Sequence, residues 1–134
     1  AGADEVVLAD GFREAVGQRA DIVVDPVGGD RFTDSLRCLR PDGRLLVIGF
    51  TAGDIPTVKV NRLLLNNVSV VGVGWGAYWL DRPEDLQEQW AQLIPLLDQL
   101  RPVIDSVANL ADAAEALAAL DERRVKGKVL LRTR

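Results

Sequence analysis

Residues 20–29, ADIVVDPVGG, constrain the fold of this chain more than any other stretch. The apolar, β-branched residues 22–24 form a run too short for a helix, and Asp25, Pro26 and two glycines then break the chain direction. The pattern predicts a buried strand whose carboxyl end runs into a tight turn before a helix. Ligands of open parallel α/β sheets collect outside the carboxyl ends of the strands. We therefore expect this turn to line half of a dinucleotide pocket, with the other half formed by residues outside this chain.

Two later apolar runs also end at a glycine followed by an aromatic residue. Residues 44–48 lead into Gly49 and Phe50, and residues 68–73 lead into Gly74 and Trp75. One such ending is weak evidence for a site, but three successive strands would place their carboxyl ends along one edge of a parallel sheet. The two aromatic rings could pack against a flat cofactor ring, or they could be covering residues or partner contacts.

The whole chain predicts an alternation of strands and helices. Strands are expected at residues 5–8, 22–24, 44–50, 68–73, 102–107 and 128–132, and helices at residues 10–19, 30–39, 60–67, 82–100 and 110–124. The glycines within 72–76 predict a permissive loop, and Pro95 is expected to kink or split its helix. This order indicates an α/β fold: a partial Rossmann-like, doubly wound, mainly parallel sheet with helices on both faces.

Composition narrows the possible functions. The chain has 134 residues and a net charge of −4 without a long run of either sign, which argues against a nucleic-acid or membrane-surface partner. No apolar segment approaches the roughly 20 residues of a membrane span, and no signal peptide is expected from the opening AGADEVV. The single Cys38 favours a reducing cytoplasm. With no histidine and one cysteine, no usual zinc site can form from this chain alone.

Few side chains in the sequence suggest a catalytic or ligand-binding role. Asp25 and Asp54 are the carboxylates nearest the expected crevice, and for Asp25 we favour a turn-stabilising role over general-base catalysis. Basic residues cluster after the last predicted helix, where cations complement the helix dipole or could pair with a phosphate: Arg123, Arg124, Lys126 and Lys128. Cys38 lies between apolar neighbours and is expected in the core.

The glycine-rich turn of a complete dinucleotide fold is missing from these residues. No G-x-G-x-x-G follows a predicted strand, and the glycines at 72, 74 and 76 have no acidic residue at the expected distance in a second strand. The sequence also contains neither a P-loop nor a G-x-S-x-G motif. The phosphate-binding turn is therefore expected outside this chain.

A resemblance to a known family rests on segments that follow one another along nearly the whole chain. They are GADEVV (2–7), ADIVVDPVGGDRF (20–32), SLRCLRPDGRLLVIGF (35–50), NRLLLNNVSVVGV (61–73), RPVIDSV (101–107), LADAAEALAAL (110–120) and GKVLL (127–131). Together they resemble the C-terminal part of the zinc-independent quinone oxidoreductases of the medium-chain dehydrogenase/reductase superfamily.

The resemblance implies an NADPH-dependent reductase of quinones or enones that transfers hydride from nicotinamide. It implies that the cofactor ribose lies at Val27 and Gly28, and that the nicotinamide is bordered by Gly49, Phe50, Gly74 and Trp75. A family arginine near the C-terminus corresponds to Arg123. No residue of this chain is implied to be catalytic, and no metal ligand is implied.

The resemblance also implies a domain organisation. Residues 1–134 would form the C-terminal portion of the cofactor-binding domain and the segment that closes the reductase chain, without the N-terminal catalytic domain. A homo-oligomer is expected through an edge strand from Ser69 to Val73, and the chain alone is expected to reduce no quinone. The alternative is a stand-alone, non-catalytic α/β module that binds a nucleotide or a partner.

Overall fold

The computed structural model describes residues 2–133, which form two compact units. One unit comprises residues 3–86, and the other comprises residues 87–133 together with Gly2. The first contains α1 (Phe12–Val16), β1 (Ala20–Asp25), a 3-10 turn (Gly29–Arg31), α2 (Phe32–Arg37), β2 (Leu39–Val47), α3 (Asn61–Asn66), β3 (Ser69–Gly72) and α4 (Trp75–Leu80). Helix α5 (Pro83–Leu93) continues into the second unit, which contains a 3-10 turn (Ile94–Leu96), β4 (Ile104–Asn109), a 3-10 turn (Leu110–Asp112), α6 (Ala113–Asp121) and β5 (Lys128–Arg132).

The first unit is a three-stranded parallel sheet in the order β1-β2-β3 with its core on one face. Val23, Leu45 and Val70 are register partners across the three strands, so their side chains form one row. Leu45 is fully buried, and Phe32 and Leu36 of α2 pack in the same cluster. The spacing of Phe32, Leu36 and Leu39 predicts one apolar face on a helix over 30–39. The burial of all three side chains is confirmed, but α2 ends at Arg37 and Leu39 is the first residue of β2.

The opposite face of this sheet is left uncovered at β1. Ile22 and Val24 alternate with Val23 and are 56% and 62% exposed. The prediction of an α/β fold with parallel sheets and flanking helices is confirmed, but helices on both faces are not found at this strand.

The start of β2 carries an irregularity built on the Pro41-Asp42-Gly43 sequence. Asp42 has φ of +67° and its N–H donates to the Asn67 carbonyl over 2.7 Å, while the Asn67 amide donates to the Asp42 carboxylate over 2.6 Å. Gly43 is required here, since a Cβ would lie 2.8 Å from the Arg40 carbonyl oxygen. These contacts fix the end of α3 to the start of β2.

The second unit pairs β4 and β5 in parallel, with α6 connecting them. Ala113, Ala116 and Ala119 are the half-buried positions of α6. Leu117 and Leu120, which the sequence placed on the buried face, are 65% and 46% exposed. The sequence predicts an apolar face made of Ala113, Ala116, Leu117 and Leu120, and this prediction is confirmed at the two alanines and wrong at the two leucines.

Three further expectations were wrong in detail. Residues 5–8 form no strand, and Val6 and Leu8 are more than four-fifths exposed, because no described strand lies beside them to share hydrogen bonds. The strands form two sheets and not one. The loop expected at 72–76 is limited to residues 73 and 74, because Gly72 is the last residue of β3 and α4 begins at Trp75. The split at Pro95 is confirmed: α5 ends at Leu93 and a 3-10 turn follows.

Candidate functional site

The carboxyl ends of the three strands in the first unit lie side by side. Asp25 is the register partner of Val47, and Val47 is the partner of Gly72. The turns that follow therefore leave the sheet at one edge, as the sequence predicted. Six of the seven predicted site residues follow these ends: Val27, Gly28, Gly49, Phe50, Gly74 and Trp75.

A buried carboxylate shapes the first of these turns. Asp25 is 7% exposed, and its Oδ1 accepts hydrogen bonds from the backbone N–H groups of Val27 at 2.8 Å and Gly28 at 2.9 Å. Such a bond satisfies turn donors that have no partner in the strand ladder. The predicted turn-stabilising role of Asp25 is confirmed.

The turn after β1 is tied to the loop after β2 by backbone hydrogen bonds. Thr51 N–H donates to the Pro26 carbonyl at 3.1 Å, Ala52 N–H donates to the Val27 carbonyl at 3.0 Å, and Gly29 N–H donates to the Asp54 carbonyl at 3.3 Å. Asp54 thus contributes a carbonyl oxygen, while its side chain is exposed. No pattern in the sequence predicted this pairing, because backbone groups do not reveal their partners in the residue types.

Gly28 and Gly29 are explained by the packing of these two loops. Gly28 has φ of +68° and ψ of −140°, a conformation that other residues resist. A Cβ at Gly28 would lie 2.9 Å from Cδ1 of Phe50, and one at Gly29 would lie 2.9 Å from Cβ of Ala52. Glycine is needed at both positions whether or not a ligand binds.

Gly49 and Gly74 have no such explanation inside the chain. Neither has a positive φ. A Cβ at Gly49 would lie 3.5 Å from the Pro26 carbonyl oxygen, and one at Gly74 would lie 3.9 Å from Cβ of Ala77; both are ordinary van der Waals contacts. Two neighbouring strand ends thus leave open space where a side chain would fit, which suits the close approach of a flat ligand.

An aromatic helix begins at the third strand end. Tyr78 N–H donates to the Gly74 carbonyl at 2.9 Å, which starts α4 at Trp75. The indole of Trp75 is 51% exposed and lies 6.1 Å from that of Trp79, with the ring planes tilted by 56°. Exposed aromatic surface therefore borders the open space beside Gly74.

Arg123, the seventh predicted site residue, belongs to the unit of residues 87–133. Its N–H donates to the Leu120 carbonyl at 3.1 Å and the N–H of Arg124 donates to the Ala119 carbonyl at 3.0 Å. This pair of bonds is the Schellman ending of α6, with Arg123 at the left-handed position, φ +56°. Of the neighbouring predicted cations, Arg124 pairs with Glu122, with 2.6 Å between Nε and Oε2.

The described residues offer no constellation for a metal. Residues 2–133 contain no group of three or more histidine, cysteine, aspartate or glutamate side chains that could hold an ion. Burial raises the pKa of the Cys38 thiol, and the nearby Asp34 carboxylate raises it further. Cys38 is 2% exposed, so its predicted place in the core is confirmed. Among the same residues, no helix is both long and apolar enough to span a membrane.

The strands are parallel, and their carboxyl ends carry an ordered acidic turn and two glycines that packing within the chain does not require. This arrangement defines an α/β domain of the Rossmann-like class. A family model described as zinc-binding dehydrogenase matches residues 1–131, and the chain belongs to that family. Its resemblance to quinone oxidoreductases of the medium-chain dehydrogenase/reductase superfamily is confirmed by the relatives. Quinone oxidoreductase-like protein 2 of Bos taurus is 35% identical over 127 residues, which is 90% of this chain and 36% of the relative.

Solved structures agree with this family. A probable oxidoreductase from Mycobacterium abscessus is 37% identical with a TM-score of 0.79, over 98% of this chain and 41% of the other. The quinone oxidoreductase from Thermus thermophilus, described in its complex with NADPH, is 32% identical with a TM-score of 0.79, over 98% of this chain and 44% of the other. The chain thus spans less than half the length of these relatives.

The zinc in the family description does not fit the residues of this chain. The sequence has no histidine, and its one cysteine lies in the core. Zinc in proteins is usually held by three or four cysteine, histidine or carboxylate ligands. No zinc chemistry is assigned to these residues.

Proposed function

We propose that this chain forms the nicotinamide side of an NADPH site in a quinone oxidoreductase, which transfers hydride from nicotinamide to a quinone or enone. The observation that carries the proposal is the open space at Gly49 and Gly74, on neighbouring strand ends where nothing in the chain requires glycine. The NADPH complex of the Thermus thermophilus relative supports the choice of cofactor.

In this proposal each residue binds or orients the cofactor. Val27 and Gly28 line the ribose, and the ordered turn on Asp25 holds them there. Gly49 and Gly74 let the nicotinamide approach the backbone, while Phe50 and Trp75 cover the ring and exclude water. NADPH supplies the hydride, and the protein supplies position.

Two further parts of the proposal concern Arg123 and the division of the chain. The guanidinium of Arg123 would pair with a cofactor phosphate. Residues 3–86 would form the later part of the cofactor-binding domain, and residues 87–133 the segment that closes the reductase chain. No side chain here is proposed to donate or accept the proton of the reaction.

Titration of the 134-residue chain with NADPH and with NADH tests the cofactor, read by tryptophan fluorescence. Gly49→Ala and Gly74→Ala are expected to weaken NADPH binding at least about fivefold, because a methyl group would occupy ligand space at a cost of about 1–3 kcal/mol. Their free energies of unfolding should change little. Gly72→Ala is the control, since a Cβ there meets nothing within 4 Å and its φ is not positive.

Unchanged NADPH affinity in Gly49→Ala and Gly74→Ala would contradict the proposed site. Tighter binding of NADH than of NADPH would contradict the choice of cofactor.

We propose that the 134 residues alone turn over no quinone. They contain no G-x-G-x-x-G turn to hold the cofactor pyrophosphate. NADPH oxidation by the purified chain with a quinone acceptor should not exceed the rate without protein, and robust turnover would refute this.

A homo-oligomer through β3 is part of the same proposal. Among the described strands, β3 pairs only with β2, so its other edge is open, and Val71 is 38% exposed. An open edge is a template for pairing with a second copy. Light scattering is expected to show a dimer that Val71→Lys weakens, and a monomer at every concentration would count against it.

We also propose a cytoplasmic location. Cys38 is a free, buried thiol, so nothing in its placement calls for an oxidising compartment. Recovery of the protein in the soluble cytoplasmic fraction of its source cells is the expected result, and recovery from a secreted fraction would contradict it.

A further inference from the structure

A second cavity lies at the opposite edge of the three-stranded sheet. It has a volume of about 340 Å³ and lies among α1, α2 and α3. Gln18, Leu36 and Val68 border it, and each of these residues shortly precedes a strand. The cavity therefore opens at the amino ends of the strands, about 17 Å from the carboxyl ends, since β1 has six residues.

Three arginines line this cavity, one from each helix: Arg13, Arg37 and Arg62. No carboxylate lines it among the described residues. Arg37 and Arg13 share one acid outside the lining, with distances of 2.9 and 3.8 Å from their Nη1 atoms to Oδ1 of Asp34. The guanidinium of Arg62 pairs with no acid in residues 2–133. Positive charge thus exceeds negative charge here, although the chain carries a net charge of −4.

The floor of the cavity is apolar, whereas its rim carries the three arginines. Leu36 and Val68 belong to the hydrophobic core and are only 5% and 9% exposed. Guanidinium groups bind phosphate oxygens with two parallel hydrogen bonds. Guanidinium groups that share one carboxylate repel one another, and a dianion among them would remove that repulsion. A volume of this size also falls within the range of small-molecule sites.

We propose that this cavity binds a phosphate monoester. The phosphate dianion lies among Arg13, Arg37 and Arg62, and the organic group covers Leu36 and Val68. The site is distinct from the proposed cofactor site, because the two lie at opposite ends of the same strands.

Isothermal titration of the 134-residue chain with inorganic phosphate and with phenyl phosphate tests the proposal, with sodium chloride at matched ionic strength. Both anions should bind, and phenyl phosphate should bind more tightly because its ring covers the apolar floor. Arg62→Gln is expected to weaken both by about tenfold, since it removes a charge-assisted hydrogen bond. Arg44→Gln is the matched control: it removes the same charge from an exposed residue outside the cavity.

Arg62→Lys keeps the charge without the planar fork, and is expected to bind phosphate with an affinity between those of the wild type and Arg62→Gln. It also serves if Arg62→Gln fails to fold. Absence of binding beyond the chloride control would overturn the proposal, and so would an equal loss of affinity in Arg44→Gln. Equal affinities for the two phosphates would refute the role of the apolar floor.

The test of the phosphate site can be separated from the test of the proposed cofactor site. Arg62→Gln should leave the affinity for NADH unchanged, because NADH, unlike NADPH, carries no phosphate monoester, and Gly49→Ala should leave the affinity for phenyl phosphate unchanged. Either site can therefore fail its test while the other passes.

Discussion

Replacing Gly28 by alanine tests how tightly the turn after β1 fits the loop after β2. The change imposes a side chain on a residue with φ of +68° and ψ of −140°. It also brings the new Cβ to 2.9 Å from Cδ1 of Phe50, closer than carbon atoms pack without repulsion. Both effects act on the folded state.

The expected cost combines three contributions. Backbone strain in this region costs about 1–3 kcal/mol, and displacing the Phe50 ring costs about 1 kcal/mol, the low end for overpacking, because the ring is 39% exposed and can shift. The unfolded chain loses conformational freedom with alanine, which returns about 0.4–1 kcal/mol. We expect Gly28→Ala to lower the free energy of unfolding by about 2 kcal/mol.

Urea denaturation followed by tryptophan fluorescence and circular dichroism measures this cost. Gly53→Ala is the matched control, since Gly53 also has a positive φ, +94°, but its Cβ would meet nothing within 4 Å. Gly53→Ala should cost about 1 kcal/mol less than Gly28→Ala, through the backbone alone. In a Phe50→Ala background, the cost of Gly28→Ala should fall by about 1 kcal/mol, while the cost of Gly53→Ala should not change.

Two results would refute this reasoning. Equal costs of Gly28→Ala and Gly53→Ala with Phe50 intact would show that the ring imposes no constraint on residue 28. An unchanged cost of Gly28→Ala in the Phe50→Ala background would show that the ring contributes nothing to it.

Three other residues give predictions from the same structure. Asp25→Ala should lower the free energy of unfolding in urea by about 2–3 kcal/mol, because two backbone N–H groups lose a charged acceptor; Asp25→Asn keeps an acceptor oxygen, and an equal loss would contradict the turn role. Arg123→Gly should raise the free energy of unfolding by about 0.5 kcal/mol. Relief of the left-handed backbone strain, about 1–2 kcal/mol, outweighs the conformational freedom that glycine gives the unfolded chain, and a lower melting temperature would argue against this prediction. Cys38 is only 2% exposed, so iodoacetamide at pH 8 should label the folded chain on the order of 100-fold more slowly than the urea-unfolded chain, and the raised pKa of the buried thiol acts in the same direction; comparable rates would place the thiol outside the core.

Local patterns in the sequence predicted what depends on neighbours in the chain. The spacing of Phe32, Leu36 and Leu39 identified side chains that the structure buries. Asp25 before a proline and paired glycines indicated an ordered turn, and the carboxylate does order it. In both cases the residues of the pattern lie close together in the chain, so residue types carry the information, although the spacing did not show that Leu39 begins β2 and does not belong to α2.

The sequence did not predict which distant segments pair with each other. Residues 5–8 have strand-forming side chains, but a strand needs a neighbour. In a Rossmann fold the strands lie in the order 3-2-1-4-5-6 across the sheet. The third strand, which precedes the fourth along the chain, therefore lies at the far edge of the sheet, beyond the second and first strands. If β1, β2 and β3 are the fourth to sixth strands, the neighbour of residues 5–8 is not among the residues described.

The sequence also did not predict which element packs against an apolar helix face. The periodicity of α6 marks alanine and leucine positions as apolar, but not which of them another element will meet. Leu117 is left 65% exposed while Ala116 is half-buried. At the candidate site, the sequence indicated glycine at every strand end. Only the folded structure distinguishes Gly28, where packing requires glycine, from Gly49 and Gly74, where packing does not require it.

The hydrogen bonds between the turn after β1 and the loop after β2 have a consequence for how this protein can diverge. Each loop supplies acceptors to the other, and Ala52 occupies the space that any side chain at Gly29 would need. An insertion or deletion in one loop would leave unpaired groups in the other. We therefore expect the lengths of these two loops to change together in descendants of this chain, so that new specificity arises by paired substitutions and not by lengthening one loop alone.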